Sequence, residues 1–195
     1  MMMQDVHTIG ALALTVTLPE WVQAVVNDHA PFRTDEDKMR LAIALARENV
    51  LRETGGPFGA AVFQQSNALV SVGVNRVKPL QNAILHAEVM ALMFAEARLQ
   101  SYTLHMQESV YTLFTSCAPC AMCLGAALWS GVQRVVCGAR REDALRLGFD
   151  EGPVFPESYR YLQDRGIEIV HGVLSDEARA VFDLYQQRQG TIYNG

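Results

Sequence analysis

The chain has 195 residues, half of them hydrophobic, and 21 acidic against 16 basic side chains give it a formal net charge of −5. That length supports one buried core, and an acidic balance without any block of like charges leaves no electrostatic footprint for nucleic acid. The opening stretch "MMMQDVHTIGALALTVTLPEW" carries no Lys or Arg before Arg33, and Thr15, Thr17 and Pro19 break its apolar run. This argues against a signal peptide or membrane span, so a cytoplasmic protein without a membrane partner is expected.

In chain order, a short helix is expected over 19–27, opened by Pro19. Thr34 then reads as the N-cap of a longer helix in "TDEDKMRLAIALARENVLRE", with acids in its first turn. Met39, Ala42, Ile43, Ala46 and Val50 share one face of it, and the glycine pair at 55–56 stops it. Strands over 60–64 and 69–75 follow, joined by a polar turn, and a loop carrying Pro79 leads to a helix over 86–99. The β-branched and aromatic run at 109–116 reads as a buried strand, and 120–131 as a short apolar helix ended by Gly131. A strand over 134–138, a polar turn region, a helix over 157–165, a strand over 167–173 and a helix over 175–188 complete the chain. Such alternation, with nearly continuous apolar strands, implies an α/β fold whose sheet is covered by helices on both faces. Residues 1–33 form an N-terminal extension on this reading, and 34–195 the main domain.

Three of the four cysteines, Cys117, Cys120 and Cys123, crowd into seven residues, a pattern that suits a metal better than disulfides in a chain of this size. His86 and Cys120 each open an expected helix, and Cys123 lies one turn beyond Cys120 on the same face, so both sulfurs can reach one ion. Imidazole and thiolate donors suit zinc, and helix N-termini favour the deprotonated thiol. Three protein ligands leave a fourth tetrahedral position for a water of lowered pKa, the mark of a catalytic rather than a structural site. Glu88, two residues after His86, is placed to be the base that completes activation of that water. Cys117 stands before Pro119 at a strand end, off the helix face, and Cys137 lies inside a strand as a core residue. The order H-x-E, then P-C-x-x-C, is the pattern of zinc-dependent deaminases.

With "GGPFGAAVF", "HAEVMAL", "TSCAPCAMCLGAALWSGV" and "GFDEGP", the sequence resembles the guanine deaminases that carry the cytidine deaminase fold. The resemblance runs from about residue 35 to the C-terminus. It implies a three-layer αβα sandwich around a five-stranded mixed sheet, usually a homodimer. It also implies hydrolytic conversion of guanine to xanthine and ammonia by zinc-bound hydroxide, with Glu88 shuttling the proton. By the same match Glu151 would be a second catalytic carboxylate, binding the N1–H and amino edge of the base. Asn75 and the backbone of Ala87 would bind the substrate, and Phe58 and Trp129 would line the pocket. In short bacterial members the C-terminal segment is exchanged between subunits; this longer chain ends in "GTIYNG", whose Tyr193 is expected to cover a pocket. One position departs from the family: Ala118 stands where a glutamate usually precedes Pro-Cys, so a contact near the zinc is missing or supplied elsewhere.

His7, His29, His105 and His171 lack partner spacing and are expected to be structural or exposed. Arg140, Arg141 and Arg146 alternate with Glu142 and Asp143 like a solvated helix face. A tRNA adenosine deaminase would share the zinc site but should carry a basic cluster for phosphates. Deaminases of cytosine, guanosine or ammeline differ from a guanine enzyme by only a few pocket contacts. A zinc-stapled binding module without turnover would need a fourth protein ligand such as Cys117.

Overall fold

The structure, a computed structural model, describes residues 13–105 and 109–194, so His7 lies outside the described residues. Five strands form one sheet in the order β2-β1-β3-β4-β5: β1 (Gly59–Gln64), β2 (Leu69–Val74), β3 (Tyr111–Cys117), β4 (Arg134–Ala139) and β5 (Glu168–Val170). β1 runs antiparallel to β2 and β3, while β3, β4 and β5 are parallel, so the sheet is mixed. Parallel neighbours need crossovers, which α4 (Ala121–Ser130) supplies between β3 and β4, and α5 (Arg141–Leu147) with α6 (Pro156–Gln163) between β4 and β5.

Alternate residues of the central strands feed two cores. Ala61 and Phe63 of β1, Phe114 of β3 and Val136 of β4 face one side. There they meet α2 (Asp35–Leu51) and α7 (Ser175–Gln187) through Met39, Leu45, Val181 and Phe182. Their neighbours Ala60, Val62, Leu113 and Val135 face the other side and meet α3 (Ala87–Leu99) and α4 through Ala91, Leu92, Leu124 and Ala127. Phe63 and Phe114, both fully buried, meet edge to face at 5.5 Å, and truncating either to Ala should cost about 3–5 kcal/mol. This is the αβα sandwich with a five-stranded mixed sheet that the resemblance implies.

Local chemistry sets the helix ends. Thr34 Oγ1 accepts from the Asp37 amide at 3.2 Å, and Asp37 Oδ2 accepts from the Thr34 amide at 3.0 Å, a reciprocal cap worth about 1 kcal/mol. The first helix, α1 (Val22–His29), begins three residues later than expected, and Val22 and Val25 bury it against the α2 core. Two further expectations need correction. The polar region after β4 contains α5, because Asp143 Oδ2 accepts the Arg140 amide at 2.9 Å and caps a helix too short to show periodicity. Asp143 also pairs with Arg146 and is buried, so this segment is not a uniformly solvated face. The final strand is only three residues, since His171 and Gly172 turn out to solvent. Among the described residues no helix is long and apolar enough to cross a membrane.

Candidate active site

The site is assembled where two helices start. His86 is the N-cap of α3, and its carbonyl accepts from the Met90 amide at 2.9 Å. α3 lies unusually close to β2: a Cβ at Gly73 would stand 2.0 Å from the Ala87 carbonyl oxygen, so only glycine there allows the helix to seat. Cys120 is the N-cap of α4, which leaves the carboxyl end of β3, and Cys123 follows one turn on.

His86 Nδ1 lies 3.6 Å from both Cys120 Sγ and Cys123 Sγ, and the three donor atoms are mutually within 4.8 Å. Zinc bonds of about 2.0–2.1 Å to nitrogen and 2.3 Å to sulfur at a tetrahedral angle put those atoms about 3.6 Å apart, so the donors fit the ion. Cys117 is outside this group; it ends β3, buried, with its thiol 3.7 Å from the Arg140 carbonyl. Cys137 is buried inside β4. The paired thiols polarise one another. A hydrogen bond from Cys123 holds the Cys120 thiol down at about 4, and the same bond pushes Cys123 well up. Both cysteines must be thiolates to hold zinc, so metal loading should release protons.

Glu88, on the first turn of α3, is 5% exposed and lines the cavity beside His86 and Cys120. Burial, then the Cys120 thiolate, push its carboxyl up. Thr115, in mid-β3, brings its hydroxyl 3.2 Å from Glu88 Oε1 and 2.9 Å from the Cys117 carbonyl, a positioning contact that the sequence reading missed. Its sequence signal is weak, since the same strand also carries Thr112 and Ser116.

The cavity measures about 420 Å³, within the usual range of about 300–1,000 Å³ for small-molecule sites. Glu151, on the loop between α5 and α6, also lines it, and its carbonyl accepts the Ala121 amide at 3.0 Å, tying that loop to the start of α4. Burial, with Cys120 and Glu88 nearby, pushes its carboxyl up to about 8. Phe58 lines the cavity and packs edge to face on Phe149 at 5.1 Å, which in turn meets Tyr193 at 5.2 Å. Tyr193 enters the cavity of its own chain, with its hydroxyl at the place a Gly56 side chain would occupy and without a partner among the described residues. The tail is held there by Asn194, which accepts the Asp150 amide at 2.8 Å and donates to the Gly148 carbonyl at 3.1 Å.

Asn75 follows β2, fully buried. Its carbonyl accepts from Asn49 Nδ2 at 2.9 Å and its Oδ1 from the Val77 amide at 3.3 Å, which leaves Nδ2 with no partner among the described residues. The Ala87 amide opens α3, where no intrahelical acceptor exists for it. Trp129 must be corrected: it is 81% exposed on the outer side of α4, not a pocket wall, because Cys123, Leu124, Ala127 and Ser130 take the buried face. Ala118 lines the cavity with a methyl group only. His105 is exposed, His29 bonds the Val25 carbonyl at 2.8 Å, and His171 sits edge-on to Tyr159 at 5.0 Å; none joins the site.

Comparison with known proteins agrees with this geometry. The profile of the cytidine and deoxycytidylate deaminase zinc-binding region matches residues 32–139. A guanine deaminase of Bacillus subtilis is 34% identical over 141 residues, 72% of this chain and 87% of that protein. A tRNA-specific adenosine deaminase of Haemophilus influenzae is 29% identical over 161 residues, 80% of this chain and 84% of that one. The solved guanine deaminase from Nitrosomonas europaea superposes with a TM-score of 0.84 at 37% identity, covering 91% of this chain and all of its own. A further structure, a mutant bound to 8-azaguanine, gives 0.84 at 38% identity over 90% of this chain and 98% of its own. With the profile spanning the helix that bears His86 and Glu88 and the turn that bears both cysteines, the chain belongs to the cytidine and deoxycytidylate deaminase zinc-binding family.

Proposed function

We propose that the protein hydrolyses guanine to xanthine and ammonia. The observation that carries this reading is a pair of buried carboxyl groups, Glu88 beside the metal donors and Glu151 lining the same cavity. Guanine offers two adjacent N–H donors, at N1 and the 2-amino group, and a carboxylate at Glu151 can accept both; cytosine has a ring acceptor beside its amine and would leave that carboxylate opposed. His86, Cys120 and Cys123 would hold the zinc ion, which would supply a water of lowered pKa for Glu88 to deprotonate. Glu88 then takes the proton of the attacking water and delivers it to the ring nitrogen N3 as the C2–O bond forms. Glu88 next takes the remaining proton from the oxygen added at C2 and passes it to the amine, so that the C2–N bond breaks, the oxygen becomes the 2-carbonyl of xanthine and ammonia leaves. Asn75 Nδ2, without a partner among the described residues, and the Ala87 amide at the start of α3 are the donors this reading assigns to the acceptors of the base. Phe58 and Tyr193 close the cavity against water.

Guanine deaminases among the relatives, and a related structure holding 8-azaguanine, support the choice of base. The functional unit on this reading is a homodimer: α4 carries no charged residue, and Trp129 on its outer side is left 81% exposed by the described residues. Ammonia release across guanine, guanosine, adenine, cytosine and ammeline tests the substrate. Guanine should exceed each of the others in kcat/KM by at least a hundredfold. Faster turnover of another member, or no ammonia from guanine, would refute the assignment.

A further inference from the structure

We propose that a second cleft, which shares Ala118 with the catalytic cavity, binds a small phosphorylated ligand with a flat ring, of the nucleoside monophosphate class. The cleft measures about 540 Å³ and is lined by Ala118, Arg140, Arg141, Phe155, Tyr159 and His171 among others. Arg140 is exposed and pairs with no acid among the described residues. Arg141 donates through Nη2 to the Gly152 carbonyl at 3.1 Å, while its buried Nε has no partner among the described residues. Arg140 thus keeps its guanidinium donors for a ligand, with the charge of Arg141 beside it, against the single carboxylate of Glu142 among the residues lining the cleft. A planar fork of N–H donors suits phosphate oxygens better than a point charge does.

The remaining wall fits a ring. Phe155 is 59% exposed, and the edge-to-face pair of Tyr159 and His171 continues an aromatic surface on which a base can stack. Burial holds the Tyr159 phenol up at about 12, so it stays a neutral donor. Ala118 lines both this cleft and the catalytic cavity, and its small side chain keeps the space beside the arginines open. A glutamate there would fill the cleft and neutralise its charge. Single-stranded RNA is disfavoured, since tracking a backbone needs a run of cations and the next one along α5, Arg146, is paired with Asp143.

Calorimetric titration of the full-length, zinc-loaded protein with GMP, inorganic phosphate and a ten-nucleotide RNA tests this, independently of any turnover. GMP should bind one to one, at least tenfold more tightly than phosphate. Arg140→Ala and Phe155→Ala should each weaken it at least tenfold with the melting temperature unchanged, and Ala118→Glu should abolish it. The proposal is overturned if GMP gives no binding, if its affinity survives Arg140→Ala, if phosphate alone binds as tightly, or if the RNA binds more tightly than GMP.

Discussion

Every metal donor of the cavity sits at the first turn of a helix packed on the sheet, whereas other lining side chains come from the α5–α6 loop and from Tyr193 and Asn194. The first arrangement is rigid, because moving His86 or Cys120 would move α3 or α4 against a filled core. The second is held by a few hydrogen bonds, Ala121 to Glu151 and Asn194 to Asp150 and Gly148. Activation of water is therefore fixed by the fold, and choice of base is delegated to segments that can change without disturbing it.

The largest effect should follow from altering the rigid end. Glu88→Gln keeps the shape of the buried side chain but removes its proton acceptor, so kcat should fall on the order of 10³-fold while zinc stays stoichiometric, measured by steady-state ammonia release and metal analysis. A loss of zinc would instead mean that Glu88 supports the metal. The loop end should respond differently. Glu151→Gln should lower kcat/KM for guanine by about 10–100-fold and remove a pH limb. The wild-type carboxyl, pushed up to about 8, is protonated at pH 6, and only its ionised form accepts two N–H donors. Affinity for a non-reacting guanine analogue should accordingly rise with pH through about 8 and level off above it, while the Gln variant should be flat. The smallest effect belongs to the tail. Tyr193→Phe removes a buried hydroxyl without a protein partner, so KM should rise a few-fold with kcat and stability nearly unchanged.

The same division decided what the sequence could reveal. His86, Glu88, Cys120 and Cys123 were legible because metal geometry imposes short spacings and helix starts impose neighbours, both of which are local in the chain. The sheet and the long helix α2 were legible through period-two and period-3.6 patterns and the Thr34 cap. Residues facing the base come from distant segments, with no spacing rule to join them, and rested on resemblance alone. That is why Trp129 was misplaced: an apolar residue on an apolar helix gives no sign of which face is covered. Thr115 escaped notice because one hydroxyl among several on a strand marks no site, and α5 was expected only as a polar turn region with a solvated face because two helical turns capped by Asp143 carry almost no periodic signal.

The claim beneath all of this is that one imidazole and two thiolates hold the zinc and leave its remaining position to an exchangeable oxygen. X-ray absorption at the zinc edge of the purified protein reads that directly. Two sulfurs at about 2.3 Å and two nitrogen or oxygen ligands at about 2.0 Å are the expected shell. Three sulfurs, with Cys117 drawn in, or a protein that retains no zinc, would contradict it.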